Sequence, residues 1–235
     1  MAEYKYNVKI VVNVDVPELT GRQIGKMFMT EMVQAIQKGW KVQTRRLDGL
    51  KEINENPDIW TNMTLPLDVK RTGFFTFYEY DEKRKIKTTK KVKARYRPGD
   101  IIYVKETWAE NHELLDNKYS YRADSMNPAI RKWKSSMFMP KKAARILLLV
   151  TSVHVERLQS ISADDANFEG IRLTRPEEEE AFIGDRMQMR GWDAVRAKYI
   201  QKFKDLWIKI NGQESWDKNP WVQVVKFKKI PFEKK

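Results

Sequence analysis

From Ile146 to Val150 the chain reads Ile-Leu-Leu-Leu-Val, and the apolar character continues through Val153 and Val155. A run this short and this continuously apolar predicts a strand over Arg145 to Val155 that is buried on both faces rather than lying at an exposed edge. It is therefore expected at the centre of a sheet, and every other segment must be placed around it. Trp221 to Phe227, after Asn219-Pro220, reads as a final strand. Arg97-Pro98-Gly99-Asp100 puts Pro and Gly at the centre of a type II turn, so a strand starts abruptly at Ile101 and runs to Glu106. Phe74 to Tyr80 and Lys91 to Tyr96 read as a hairpin with a basic tip over Asp81 to Lys90. Tyr6 to Val14 alternates with period two and predicts a half-buried strand.

Helices are marked by their ends. Thr30 predicts an N-cap for a helix burying Met32, Val33 and Ile36, and Gly39 a left-handed stop that turns the chain into Lys41. Ser162 and Asp165 form a capping-box pattern opening a short helix that closes at Gly170. Pro176 followed by Glu177 to Glu180 predicts an acidic first turn. Val195, Tyr199, Phe203, Leu206, Trp207 and Ile210 recur at helical spacing before Asn211-Gly212. Gly49 to Asp68 reads as an irregular excursion anchored by Trp60, and His112 to Trp133 as a loop.

Composition narrows the functional classes. At 235 residues and 41% hydrophobic, one globular domain is expected. The absence of cysteine excludes disulfides, a thiolate nucleophile and Cys-based zinc, and two separated histidines predict no metal centre. No apolar run reaches the roughly 18 residues of a membrane span, and Met1 to Asp15 alternates where a signal peptide would be continuously apolar, so a cytoplasmic protein without membrane contact is expected. The formal charge of +13 favours a polyanionic partner. The charge is clustered: Lys83 to Arg97 holds nine basic residues and no acid, and Ser125 to Val155 no Asp or Glu. Basic residues alternate with aromatics over Lys91 to Tyr103 and Arg131 to Phe138, a pattern suited to tracking phosphates and stacking on unpaired bases. The candidate nucleic-acid contacts are Arg45, Arg46, Lys91, Lys93, Arg95, Tyr96, Arg97, Tyr103, Trp108, Lys132, Trp133 and Lys134.

The segment Gly39-Trp40-Lys41-Val42-Gln43-Thr44-Arg45-Arg46 brings an amine, a hydroxyl and two guanidinium groups together, and Arg97 to Trp108 carries the carboxylate of Glu106. With Lys132 to Pro140, Ala143 to Ile146, Val155 to Ser162, and Leu206-Trp207 through Trp216 to Val222, these blocks resemble the ASCH family in its long form, common in phages and prophages. The resemblance implies an α+β fold, a single PUA-like β-barrel with flanking helices over residues 25–235. A helical insertion falls near 165–212, and residues 1–24 form an N-terminal strand extension. It also implies a pocket at the barrel mouth for RNA, another single-stranded nucleic acid or a modified nucleoside, with no cofactor. Acetylcytidine amidohydrolases of the family imply Lys41 as proton acceptor, Thr44 as nucleophile and Glu106 as proton donor; a ribonuclease or a phage assembly protein are the other readings. That chemistry demands a lowered Lys41 pKa and a raised Glu106 pKa. The chain departs from the family at Trp40, Val42 and Phe138, where Arg, Thr and His are usual. The alternative reading makes Lys41, Arg45 and Arg46 an anion-binding stripe and Glu106 their charge partner. Residues three apart face opposite sides of a strand, so Lys41 and Thr44 share a pocket only if a turn or bulge intervenes.

Overall fold

The structure, a computed structural model, describes residues 21–110, 119–124, 130, 132–177 and 191–231. The strand expected over Tyr6 to Val14 and most of the acidic turn at Glu177 to Glu180 lie outside them. In chain order the elements are β1 (Gln23–Met27), α1 (Thr30–Gln37), β2 (Gln43–Arg46), β3 (Trp60–Asn62), α2 (Pro66–Thr72), β4 (Phe74–Tyr80), β5 (Ile86–Lys93), β6 (Ile101–Lys105), β7 (Trp108–Glu110), β8 (Tyr119–Tyr121), β9 (Leu147–Arg157), α3 (Ala163–Phe168), α4 (Gly191–Asn211), α5 (Gln213–Asp217) and β10 (Trp221–Ile230).

The main sheet has the order β1-β6-β9-β10-β2, with β9 at its centre. Only β1 and β6 run parallel; the other pairs are antiparallel. Along β9 the core positions change phase, from Leu148 and Val150 to Val153 and Val155. The cause is a bulge: Lys226 pairs with Ser152 but Phe227 with Val150, leaving Thr151 as the extra residue. β10 is buried on both faces. Its Trp221, Val225 and Phe227 join α1, β4 and β6 in one core, whereas Val222 and Val224 join Phe203, Trp207 and Trp216 in a second core under α3, α4 and α5.

The fold is α+β, but among the described residues no backbone ladder closes the main sheet into a barrel. Its edges β1 and β2 are joined by side chains: Lys26 Nζ lies 2.5 Å from Asp48 Oδ2, and Arg46 Nη2 donates to the Met27 carbonyl at 3.3 Å. The second sheet, β3-β4-β5, packs Phe75 and Phe77 against the core.

Several boundaries differ from the expectations. The helix cap is Met29, whose extended backbone precedes an already helical Thr30. The irregular excursion contains β3 and α2, the latter started by Pro66 and closed by Gly73 in the left-handed region. The hairpin tip is shorter than expected, because Asp81 Oδ1 accepts from the Lys85 amide at 2.8 Å and Arg84 takes φ of 58°, making a tight turn that moves Lys87 and Lys90 into β5. β5 ends at Lys93, and Tyr96 is buried beyond it. Part of the expected loop is β8, paired with β7. Gly39 behaves as predicted: with φ of 73° it reverses the chain, and the amides of Trp40 and Lys41 both donate to the Ala35 carbonyl.

Candidate functional site

Lys41, Gln43 and Arg45 are two residues apart along an extended segment and all meet α3, Lys41 and Arg45 at its C-cap Glu169 and Gln43 at Asp165 in its first turn. Gly170 makes this approach possible, because its φ of 93° suits glycine and a Cβ there would lie 3.0 Å from Ala35 Cβ and 3.1 Å from Lys41 Cβ. Lys41 Nζ donates to Glu169 Oε2 at 2.6 Å and to the Glu169 carbonyl at 2.7 Å. Arg45 reaches Glu169 Oε1 at 3.1 Å and Glu156 Oε1 at 2.8 Å, while Gln43 donates to Asp165 at 2.9 Å. All three side chains and Glu169 are buried. Burial pushes the Lys41 amine below the usual lysine range, partly offset by Glu169.

Two carboxylates of this cluster are held below their ordinary values. Burial works against both, but His154 and Arg45 outweigh it at Glu156, and Gln43, Ser162 and Arg45 outweigh it at Asp165. A depressed carboxyl pKa stabilises the fold above the unfolded value, near 4, and that contribution is lost as pH falls through the folded value. Thermal melts between about pH 6 and pH 2.5 are expected to hold steady to about pH 4 and then fall. A melting temperature unchanged down to about pH 3 would contradict this.

Strand alternation turns Thr44 and Arg46 to the opposite face from Gln43 and Arg45, toward the β1 edge. The Arg46 guanidinium lies 5.0 Å from the Phe28 ring centroid. Asp48 accepts from Lys26 and, at 2.8 Å, from the Tyr96 hydroxyl. Burial raises the Tyr96 pKa. It also works against the Asp48 carboxylate, but the two hydrogen bonds outweigh it and lower that pKa. Beside these groups, between β2 and α4, is a cavity of about 200 Å³. Its lining is polar at Lys26, Thr44, Arg45, Arg46, Asp48 and Glu169 and apolar at Met32, Phe203, Leu206, Trp207 and Ile210, and the Arg45 guanidinium lies 5.7 Å from the Phe203 ring centroid. Arg46 Nε is buried without a hydrogen-bond partner among the described residues. No hydrogen bond to the Thr44 hydroxyl is found among them either.

Glu106 is elsewhere. Both of its oxygens accept from Arg145 at 2.9 Å, and Arg145 also pairs with Asp124 and stacks 3.9 Å from the Tyr121 ring centroid. Burial raises the Glu106 pKa against the pull of Arg145. The Lys41 and Glu106 shifts thus run in the directions a hydrolytic triad needs. The geometry does not follow: no hydrogen bond or ion pair joins Lys41, Thr44 and Glu106, Lys41 is turned to Glu169, and the cavity is lined by Thr44 but by neither of the others.

The expected nucleic-acid contacts separate by exposure. Lys91, Lys93, Arg95, Lys132 and Lys134 are exposed, and Trp133 is half-buried. Arg45, Tyr96 and Trp108 are buried and unavailable as surface contacts: Arg45 is ion-paired, Tyr96 serves Asp48, and Trp108 packs edge-on against Tyr119 beneath Lys134. Tyr103 lays its ring where a Gly25 Cβ would be, and Arg97 lies against Gly73 in the same way. The sequence reading missed Lys26, Asp48 and Glu169. Asp48, two residues beyond Arg46, was the only one with a local signal, since the others arrive through tertiary packing. Comparison with protein-family profiles, with curated proteins and with solved structures finds no match.

Proposed function

We propose that the protein binds single-stranded nucleic acid, RNA in the first instance, and seats one base in the cavity between β2 and α4. The observation that carries this reading is the cavity's mixed chemistry. Its lining combines apolar groups including Phe203 and Trp207 with the Arg45–Glu169 ion pair and with Arg46 Nε and the Thr44 hydroxyl, which lack partners among the described residues. A base is a flat disc with apolar faces and hydrogen-bonding edges, and such a mixed lining suits it. The cavity is smaller than the ~300–1,000 Å³ typical of drug-sized ligands, which favours one base over a larger group. The charge of +13 adds the electrostatic attraction that any strand requires.

The same reading takes the chain as an ASCH-type protein and its side-chain-stapled sheet as a PUA-like barrel open at the β1–β2 seam. Its support is the placement of the Gly39 turn and β2 at that seam. The test is a fluorescence-anisotropy titration of single-stranded RNA. Arg46→Leu removes a buried donor and should weaken binding about tenfold or more, while Thr44→Val, nearly isosteric, should weaken it several-fold. Wild-type affinity in both variants would overturn the cavity as the base site. Product formation by the wild-type protein from RNA or acylated cytidine, lost in Lys41→Arg, would instead favour the hydrolytic reading.

A further inference from the structure

We infer that the outward face of β3-β4-β5 is a second, separate contact surface for the same single strand, on which bases stack against Phe74, Tyr78 and Tyr80. This deepens the proposed function and rests on it. On β4 the odd-numbered Phe75 and Phe77 enter the core, so Phe74, Thr76 and Tyr78 share the other face. Tyr80 follows a register shift after Glu79 and pairs with Ile86. Phe74 is 37% and Tyr80 38% exposed, high for rings on a sheet. The Tyr78 and Tyr80 centroids are 6.4 Å apart, tilted by 39°, so the rings are not stacked face to face on each other and each keeps surface for a base.

The neighbouring strand supplies charge on the same face. Registered partners in an antiparallel pair point the same way, and here Phe74 faces Lys93, Thr76 faces Lys91 and Tyr78 faces Thr89. Lys87 and Lys90 are paired with Glu79 and Glu52. Lys91, Lys93 and Arg95 have no acidic partner among the described residues. Rings in a row beside unpaired ammonium groups are the combination that binds single strands without reading sequence: the rings take bases and the ammonium groups take phosphates. A protein partner is the less suited occupant, because the density of like charge along β5 demands a polyanion.

Phe74→Ala/Tyr78→Ala/Tyr80→Ala and Lys91→Glu/Lys93→Glu are titrated with single-stranded RNA and DNA of one sequence, and with the corresponding duplex. Thermal melts check folding, and an oligonucleotide carrying photo-crosslinkable uridines is mapped on the wild-type protein. The expected results are about tenfold or greater weakening for each set of substitutions, weaker binding of duplex than of single strand, and crosslinks on β4. Should the ring variant melt below wild type, the charge variant and the crosslink map decide. If the wild type binds single strands, Arg46→Leu weakens that binding and both surface variants bind as wild type, this inference is overturned and the cavity reading stands. If the wild type binds neither RNA nor DNA at low salt, both fall.

Discussion

Glu169→Gln is expected to lower stability by about 3–5 kcal/mol, the cost of breaking a buried ion pair from one side. Glu169 is the one carboxylate shared by Lys41 and Arg45, at 2.6 Å and 3.1 Å, and both cations are buried with it. Gln keeps the shape and one acceptor but removes the charge, leaving Lys41 without an anionic partner. The pairing also ties the end of α3 to the segment leading into β2, so its loss loosens the chain that carries Thr44 and Arg46. Chemical denaturation should therefore show a lower midpoint. An unfolding free energy within about 0.5 kcal/mol of wild type would mean that water replaces the carboxylate and that the cluster is not closed.

The architecture was legible where local signals agree with tertiary demands. The apolar run after Arg145 located the central strand, and the glycines at 39 and 170 located both helix ends that meet at Lys41. The bulge at Thr151 was not legible, because a phase change hidden in a continuous apolar run leaves no periodic trace. Nor was the open β1–β2 seam, since whether two edges pair through backbone or side chains is decided by their approach in three dimensions. α2 was obscured by Pro66, which reads as a breaker until its place at the first helical position is known.

The site was legible as a stretch but not as a constellation. Alternation divides residues 41 to 46: Lys41 and Arg45 go to Glu169 and Thr44 and Arg46 to the other face, while the cavity at this edge strand is lined by Thr44, Arg45 and Arg46 but not by Lys41. Glu106 was singled out for its position at a strand end, and its partner Arg145, 39 residues away, takes it out of that cavity's wall. The basic-aromatic pattern over Lys91 to Tyr103 includes Tyr96, which the core consumes, as it does Trp108; the exposure of Phe74 and Tyr80 depends on which face of β4 turns inward, and no local signal gives that.

The largest expected effect concerns binding itself. A single strand engaging both proposed surfaces would have Lys91 and Lys93 at one and Arg46 at the other as phosphate partners. Each neutralised phosphate releases condensed counterion, so the logarithm of affinity falls linearly with the logarithm of salt, by roughly 0.7 per phosphate on single strands. For six phosphates that slope is about −4, or several hundredfold weaker binding between about 50 and 200 mM salt. Lys91→Glu/Lys93→Glu should make the slope shallower by about one unit or more, whereas Thr44→Val should lower affinity without changing it. The decisive measurement is the equilibrium affinity of the wild-type protein for a single-stranded RNA across that salt range. The account predicts tight binding at the low end and a steep linear loss; affinity independent of salt, or no binding at the lowest salt, would contradict it.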